Sequence, residues 1–499
     1  MSVFREEDFN IGFTKFITYS LRVIFSIIFI ASIGMLGYFI IARGNKVSIL
    51  LTVLYTLFTF FMYIGIKKNI NKRMMIGLTI MLGLFLRIIW AFSLHNIPVS
   101  DFNQIYEAAI NINKGDYSAL KGLKYFGRFP HLIIIILYFS KILTMFGNNT
   151  LVALKSINII FSTSSILVTY FILNEIFEEY SKVVVGTFIA ALFPASILYT
   201  SVYCGENIAI LFYLLSIYFF IIAMKAERKT ILLICCGFLL FIGHLFRMVA
   251  QIMIISYVLY IFIYNKEKYM QKFKNTFIII MSFIIPFIIT GNLLVYLGIT
   301  DRKLWNGSEP NITSVLKGSN INHIGRWNKE DAEFINKNLN NKEYLESESK
   351  KIIVDRYTNT NVFKVAIFEV CKMSMQWRTG DSGGSFWSQL NLGNDKVKID
   401  IVNEGNSWYQ LFYIIILFMI IRGLLTGLNE KKEIINLFLI IFCGYACTFL
   451  ILEAQERYSF IISWVFVIIS VQGLYPIEKT LFKSEHELEE TSISISDDK

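Results

Sequence analysis

MMIGLTIMLGLFLRIIWAFSL (residues 74–94) runs through residues 95–99 into SDFNQIYEAA (residues 100–109). The first stretch is apolar almost throughout and, as a helix rising about 1.5 Å per residue, it is long enough to cross roughly 30 Å of bilayer hydrocarbon. The second is polar and sets a carboxylate, Asp101, at the face where the chain leaves the bilayer. An acid in that place can meet lipid-borne molecules from one side and water-borne ones from the other, which makes it the first candidate for chemistry.

The apolar pattern recurs along the chain. Runs near residues 16–42, 47–66, 74–94, 150–173, 183–203, 206–224, 230–246, 248–264, 276–299, 408–426, 434–452 and 459–475 read as twelve membrane-spanning helices. Composition agrees, with 55% hydrophobic residues, 17% charged and a mean hydropathy of +0.56. These values exclude a soluble globular protein and predict an all-α polytopic membrane protein. The first run exceeds the 7 to 15 residues of a signal-peptide core and carries no small-residue cleavage pattern, so it is expected to stay as a span. Five of the six cysteines, Cys204, Cys235, Cys236, Cys443 and Cys447, lie in or beside apolar runs, which points to packing and not to a disulfide framework. A net charge of +10 does not indicate nucleic acid here, because the basic residues fall in short clusters between apolar runs and form no stripe.

Those clusters orient the chain. Lys67, Lys68, Lys72 and Arg73; Lys225, Arg228 and Lys229; Lys266, Lys268, Lys272 and Lys274; and Lys431 with Lys432 are each expected on the cytoplasmic side. From a cytoplasmic N-terminus this holds only if one further apolar run, residues 130–146, does not cross. It is therefore predicted to lie as a helix in the outer interface. Arg43 and Lys46 fall outside against the rule. The expected organisation is three N-terminal spans (1–95), a first large outer loop with juxtamembrane helices and Asp101 (96–149), a transmembrane core (150–299), a second large outer segment (300–407), three C-terminal spans (408–475) and an acidic, disordered cytoplasmic tail (476–499). Both termini are then cytoplasmic. The second outer segment is far longer than an ordinary connector, which suggests a function.

Arg87, Ser100-Asp101, Tyr106, Ala109 and Gly115-Asp116-Tyr117, then Arg128-Phe129-Pro130, Pro194, Ser201, Glu206, Gly243, Arg247, Lys372, Trp377 and Glu456-Arg457-Tyr458 follow one another in a recognisable order. In this the chain resembles the GT-C fold glycosyltransferases, in the group of the protein O-mannosyltransferases and the aminoarabinose transferase of lipid A. The resemblance implies a GT-C-like fold, a sugar donor carried on polyprenyl phosphate, inversion at the anomeric carbon, and Asp101 as the general base that activates an acceptor hydroxyl. It further implies an active site on the outer face of the cell membrane, with envelope polymer, glycolipid or protein as acceptor.

Supporting roles are assigned residue by residue. Arg247, an ionised group between two apolar runs, needs an anionic partner. It is expected to hold the donor's lipid phosphate, or else to snorkel from a helix end. Arg128 and Arg457 are further phosphate candidates, with Glu456 as an alternative ion-pair partner for Arg457. Tyr106, Glu206, Lys372 and Trp377 are expected around the acceptor or in support of Asp101. Some relatives carry an acidic residue beside the basic one that precedes the proline; here Gly127 takes its place. No cofactor is called for, and only Asp101 and Glu206 remain as obvious carboxylates for a divalent metal. His244 and His323 show no ligand spacing. Asp355 and Asp381 are alternative bases.

No Walker A sequence or dinucleotide glycine fingerprint is present, which favours a lipid-linked donor. Two rival functions stand: a polysaccharide polymerase or ligase, and a non-catalytic flippase or transporter of lipid-linked sugars. The latter would place polar residues along several spans, and these spans are nearly free of charge.

Overall fold

The computed structural model describes residues 2–44, 48–392, 406–426 and 433–474. Lys46, Lys431, Lys432 and the acidic tail lie outside the described residues. Within them the chain is all-α, with no β-strand. The helices are α1 (Ser2–Gly37, prolonged by a π turn Tyr38–Ala42), α2 (Ile49–Lys67), α3 (Lys72–Ser93), α4 (Ser100–Asn113), α5 (Tyr125–Arg128), α6 (Ile133–Phe146), α7 (Thr150–Ile176), α8 (Tyr180–Leu192), α9 (Pro194–Leu198), α10 (Glu206–Lys225), α11 (Thr230–Phe246), α12 (Ala250–Tyr264), α13 (Tyr269–Tyr296), α14 (Ile312–Gly318), α15 (Lys329–Asn338), α16 (Lys342–Thr358), α17 (Val362–Trp377), α18 (Gly384–Gln389), α19 (Asn406–Thr426), α20 (Ile435–Ile451) and α21 (Trp464–Gln472).

Each of the twelve apolar runs becomes helix, but not twelve equal spans. Among the described residues seven helical stretches are long and apolar enough to cross a bilayer, and eight if a bent pair counts as one. Three runs are shorter, α11, α12 and α20. The last run is a 3-10 turn, Glu456–Ile462, leading into the nine-residue α21. The run at 183–203 is broken, with α8 and α9 meeting at 46°. Pro194 causes the break, since it has no N–H to continue the ladder and its ring excludes the helical carbonyl before it.

Arg87 holds that break. Fully buried in α3, its Nη1 donates to Ala191 O at 3.0 Å and to Gly83 O at 3.0 Å, its Nε to Ser162 Oγ at 2.8 Å and its Nη2 to Ser196 Oγ at 2.8 Å. A broken helix is tolerated at membrane depth when neighbouring side chains take up the freed backbone groups. Each polar group left bare costs about 1–3 kcal/mol. Arg87→Met is therefore expected to lower the melting temperature of the detergent-solubilised protein well below that of a surface control such as Lys351→Met.

Residues 130–146 continue through a 3-10 turn at Gly147–Asn149 into α7, so that Pro130–Ile176 is one apolar helical stretch of 47 residues. At about 1.5 Å per residue it would reach roughly 70 Å, more than twice the hydrocarbon thickness. Only part of it can cross, and α6 instead packs with α4 in a cluster built on Ile105, Ala109, Ile136 and Phe139.

Because consecutive helices reverse direction, their connections gather at two ends. At one end Lys72 Nζ donates to Asn174 Oδ1, Tyr180 OH to Ile70 O at 2.7 Å, Lys225 pairs with Glu175 at 2.8 Å and Lys229 with Glu267. Three of the four basic clusters thus share this end. The opposite end carries α4 to α6 and the segment from Thr300 to α18. There Asn96 Nδ2 donates to Ser201 O at 2.8 Å, and Lys155 Nζ donates to the last carbonyls of α3, Ala91 O at 3.0 Å and Leu94 O at 2.7 Å. A lysine at a helix C-terminus answers both the free carbonyls and the dipole. Lys155 so fixes the backbone that delivers Asp101.

Over this second end sits a helical cap, α14 to α16, with Leu316, Ile335 and Leu345 as its core. Asp331 binds Arg356 at 2.6 Å, Asn320 at 3.0 Å and Asn328 at 2.8 Å. Burial pushes its carboxyl up, and these hydrogen bonds outweigh burial and hold it below the ordinary carboxylate value. A lowered folded-state value means the contribution to stability is present above the unfolded value of about 3.9 and is lost as pH falls through the folded one. Protection against hydrogen exchange over residues 312–358, taken relative to the intrinsic exchange rate at each pH, is expected to fall in that acid range, and Asp331→Asn is expected to remove that fall.

Candidate active site

Asp101 is the second residue of α4. The residue before it, Ser100, has φ 51°, a left-handed conformation that few non-glycine residues adopt and that costs of order 1–3 kcal/mol. The turn aims the Asp101 side chain at Arg457, whose Nη2 donates to Oδ2 at 2.9 Å across 356 residues of sequence. Both groups are partly exposed, so the second oxygen of Asp101 is not locked in a buried pair.

Arg457 is framed by aromatic rings. Its guanidinium lies 5.1 Å from the Trp387 ring centre and 5.3 Å from that of Tyr458. Arg247 approaches Tyr458 as well, also at 5.3 Å, and pairs with Glu206 at 3.7 Å. One tyrosine ring therefore contacts two guanidinium groups, and each guanidinium carries its own carboxylate. The four charged groups come from α4, the start of α10, the break after α11 and the 3-10 turn before α21, all at one end of the bundle. Arg247 is out of helix because the chain turns between α11 and α12, and Tyr213 holds the turn by donating to Arg247 O while accepting from Val249 N at 3.2 Å.

Of the residues singled out in the sequence, Asp101, Glu206, Arg247 and Arg457 come together. Others do not join them. Arg128 donates through Nε and Nη2 to Glu309 at 2.8 and 2.5 Å and through Nη1 to Asn336 at 3.0 Å, tying the segment between α4 and α6 to the long segment after α13. Lys372 is buried with its ammonium on Gly318 O at 2.7 Å and Leu450 O at 2.9 Å, an internal clamp. Trp377 lies in the core, its ring 5.1 Å from that of Phe442 and 5.5 Å from that of Phe466. Tyr106 is half-buried in the α4–α6 cluster. Glu456 is not the partner of Arg457, since its carboxylate accepts from Arg378 at 3.3 Å. Asp381 is consumed as a cap, accepting from Gly383 N at 3.1 Å, Ser385 N at 3.0 Å and Ser385 Oγ at 2.5 Å.

Gly127, in the position where some relatives carry an acid, has a steric reason. A Cβ there would stand 2.4 Å from Gly122 O and 2.8 Å from Lys121 C. No side chain fits. Gly127→Ala is expected to disturb the segment between α4 and α6 and to weaken the Arg128–Glu309 link, read as faster proteolysis between residues 115 and 130.

Trp387, one of the tryptophans concentrated in the second long segment of the sequence, joins the site, and so does Tyr125, which nothing in the sequence singles out. Burial and then the neighbouring Asp101 carboxylate push the Tyr125 hydroxyl well above its ordinary value, which places it beside the candidate base as a neutral group. Among the described residues no three His, Cys, Asp or Glu side chains converge as a metal site. Asp101 and Glu206, the two carboxylates considered for an ion, are each occupied by an arginine.

Fold and site together define a polytopic all-α membrane protein with a cluster of paired acids and arginines at one end. Residues 133–291 match the family described as dolichyl-phosphate-mannose-protein mannosyltransferase, and over that stretch the resemblance to GT-C mannosyltransferases is borne out. Among solved structures the chain is similar to the oligosaccharyltransferase of Archaeoglobus fulgidus. In the complex with zinc and sulfate the identity is 14%, with 85% of this chain and 51% of that chain covered and a TM-score of 0.45. In the complex with an inhibitory peptide and a dolichol-phosphate the values are 13%, 86%, 52% and 0.46. The chain spans about half the length of these structures. No curated protein matches it.

Proposed function

We propose that the protein is a glycosyltransferase that moves a sugar from a polyprenyl-phosphate donor to an acceptor hydroxyl at the outer face of the cell membrane. The observation that carries this reading is the cluster itself, a carboxylate held by one arginine, with a second arginine on the other contact of the shared tyrosine. The family match, whose description names a polyprenyl-phosphate sugar, supports the donor class. The outer location rests on the three described basic clusters gathered at the opposite end.

In the reaction the acceptor oxygen attacks the anomeric carbon, the bond from that carbon to the phosphate oxygen breaks, and its electron pair leaves with the lipid phosphate. The acceptor proton passes to Asp101. Arg247 and Arg457 bind the phosphate as its charge grows, the step at which fixed cationic donors lower the barrier most. Arg457 has to choose between Asp101 and the phosphate. A guanidinium on a carboxylate favours the charged form and weakens it as a base. Donor entry that draws Arg457 onto phosphate therefore frees Asp101 at the moment a base is needed.

Protein reconstituted in liposomes with a labelled polyprenyl-phosphate sugar and membrane extract as acceptor is expected to release free polyprenyl phosphate. A flippase would move the intact donor and release none, and that outcome would sink the proposal. A polymerase or ligase is distinguished by its product, a chain grown on or transferred from a second lipid carrier.

A further inference from the structure

The second outer segment contains a turn that the sequence presents as an exposed glycine-rich loop, residues 379–384. In the fold it is buried and deep. Trp377 packs on Phe442, nine residues short of the end of α20 at Ile451 and so about 13 Å below that end. Arg378 O accepts from Ser32 Oγ at 3.0 Å, and Ser32 stands ten residues short of Ala42, about 15 Å down. A Cβ on Gly380 would stand 2.4 Å from the Cβ of Tyr413, seven residues and about 10 Å inside α19. Three independent helices thus put the turn well below their own ends.

Non-helical backbone at such depth survives only when protein surrounds it and its polar groups are met. Protein surrounds the turn and its backbone is hydrogen-bonded at several points, while the Thr379 hydroxyl has no partner among the described residues. Thr379, Asp381 and Ser382 are buried. Gly380 N donates to Gln410 Oε1 at 3.2 Å, Arg378 O also accepts from Gln410 Nε2 at 2.8 Å, Ser382 O accepts from Tyr199 OH at 2.8 Å, and Asp381 takes the Gly383 and Ser385 amides. The chain then climbs back. Leu392, after α18, packs with Trp90 and Leu94 at the end of α3, the end from which α17 descended.

The other half of α17 is exposed and apolar on one side. Val362, Phe363, Ile367 and Val370 are 72%, 75%, 64% and 46% exposed and, apart from the first, recur at helical spacing. The helix packs on α1 and α20, whose own outward residues Ile33 and Ile451 are exposed apolar side chains of the kind that face lipid. Lys364, exposed beside the stripe, can reach headgroups by snorkelling.

We propose that α17 and the turn after it form a re-entrant element that enters the outer leaflet and leaves on the same side, with lipid acyl chains as the partner of the stripe Val362, Phe363, Ile367 and Val370. The inference rests on the membrane reading of the bundle and not on the reaction. Its polar tip touches the active-site turn, through Arg378 on Glu456, one residue before Arg457, and Ser382 Oγ 3.0 Å from Ser459 Oγ, two residues after it.

Nitroxide labels at Ile367→Cys and, as a control in the cap, Tyr344→Cys would be placed in a background without the six native cysteines and reconstituted in phosphatidylcholine and phosphatidylglycerol vesicles. The label at 367 is expected to collide several-fold more with oxygen than with a water-soluble nickel chelate, and that at 344 the reverse. A label at 367 that meets the chelate as freely as the control, or is shielded from both reagents, overturns the proposal. Unmodified protein tested with a phospholipid bearing a diazirine in its acyl chain covers the case in which the variants do not fold. Labelling is expected in residues 362–370 as in α13 around Ile289, and labelling confined to α13 overturns the assignment.

Discussion

Asp101→Asn is expected to reduce the release of polyprenyl phosphate by about 10²–10⁴-fold, the range in which a positioned general base contributes, with no comparable loss of donor binding. The amide has nearly the shape of the carboxylate and can still accept from Arg457, so the turn at Ser100 and the start of α4 are kept while proton acceptance is lost. Measurement of donor turnover in liposomes, with donor affinity measured separately, separates the two. Asp381→Asn is the companion variant, because Asp381 was the rival base in the sequence. It caps α18 from a buried position, so its replacement is expected to lower thermal stability more than turnover per folded molecule. If Asp101→Asn kept its activity and Asp381→Asn lost it without unfolding, the assignment of the base would have to be exchanged.

Much of the bundle could be read from residue order alone, because a bilayer imposes length and apolarity on anything that crosses it. The helices containing residues 49–67, 72–93 and 206–225 end within about two residues of the apolar runs, where Ser48 and Asn71 supply caps. The common end of three of the four basic clusters was legible too, since it follows from alternation. Other features depend on partners that the sequence holds far apart. Nothing near residue 457 announces that Arg457 would meet Asp101 in preference to the adjoining Glu456, because the choice is made by the packing of α4 against the turn before α21. Trp377 sits among loop aromatics in the sequence and in the core in space. The stretch Thr379-Gly380-Asp381-Ser382-Gly383-Gly384 has the composition of a surface turn, and only Tyr413, Gln410 and Ser32 reveal its depth. Gly127 was visible as a departure, while its cause, the carbonyl of Gly122, was not.

Arg457→Ala is expected to lower turnover by about 10²–10³-fold, equivalent to about 2.7–4 kcal/mol of lost transition-state stabilisation. Arg457→Lys is expected to recover only part of it. A guanidinium presents a planar fork that can bind two phosphate oxygens at once, and it can rest on the faces of Trp387 and Tyr458. An ammonium is a compact, strongly hydrated charge that offers neither the fork nor the stacking. Arg247→Ala lies on the other side of Tyr458 and is likewise expected to lower turnover, since Arg247 is proposed to bind the same growing charge. The double variant Asp101→Asn with Arg457→Ala carries the sharper test. Because Arg457 leaves Asp101 for the phosphate before the reaction, the base is free in the wild type and in Arg457→Ala alike, so the two losses come from different ends of the reacting bond and are expected to multiply. A double variant little worse than Asp101→Asn alone would mean that Arg457 works through Asp101 and not on the phosphate, and the 2.9 Å pair would then be part of the reacting arrangement.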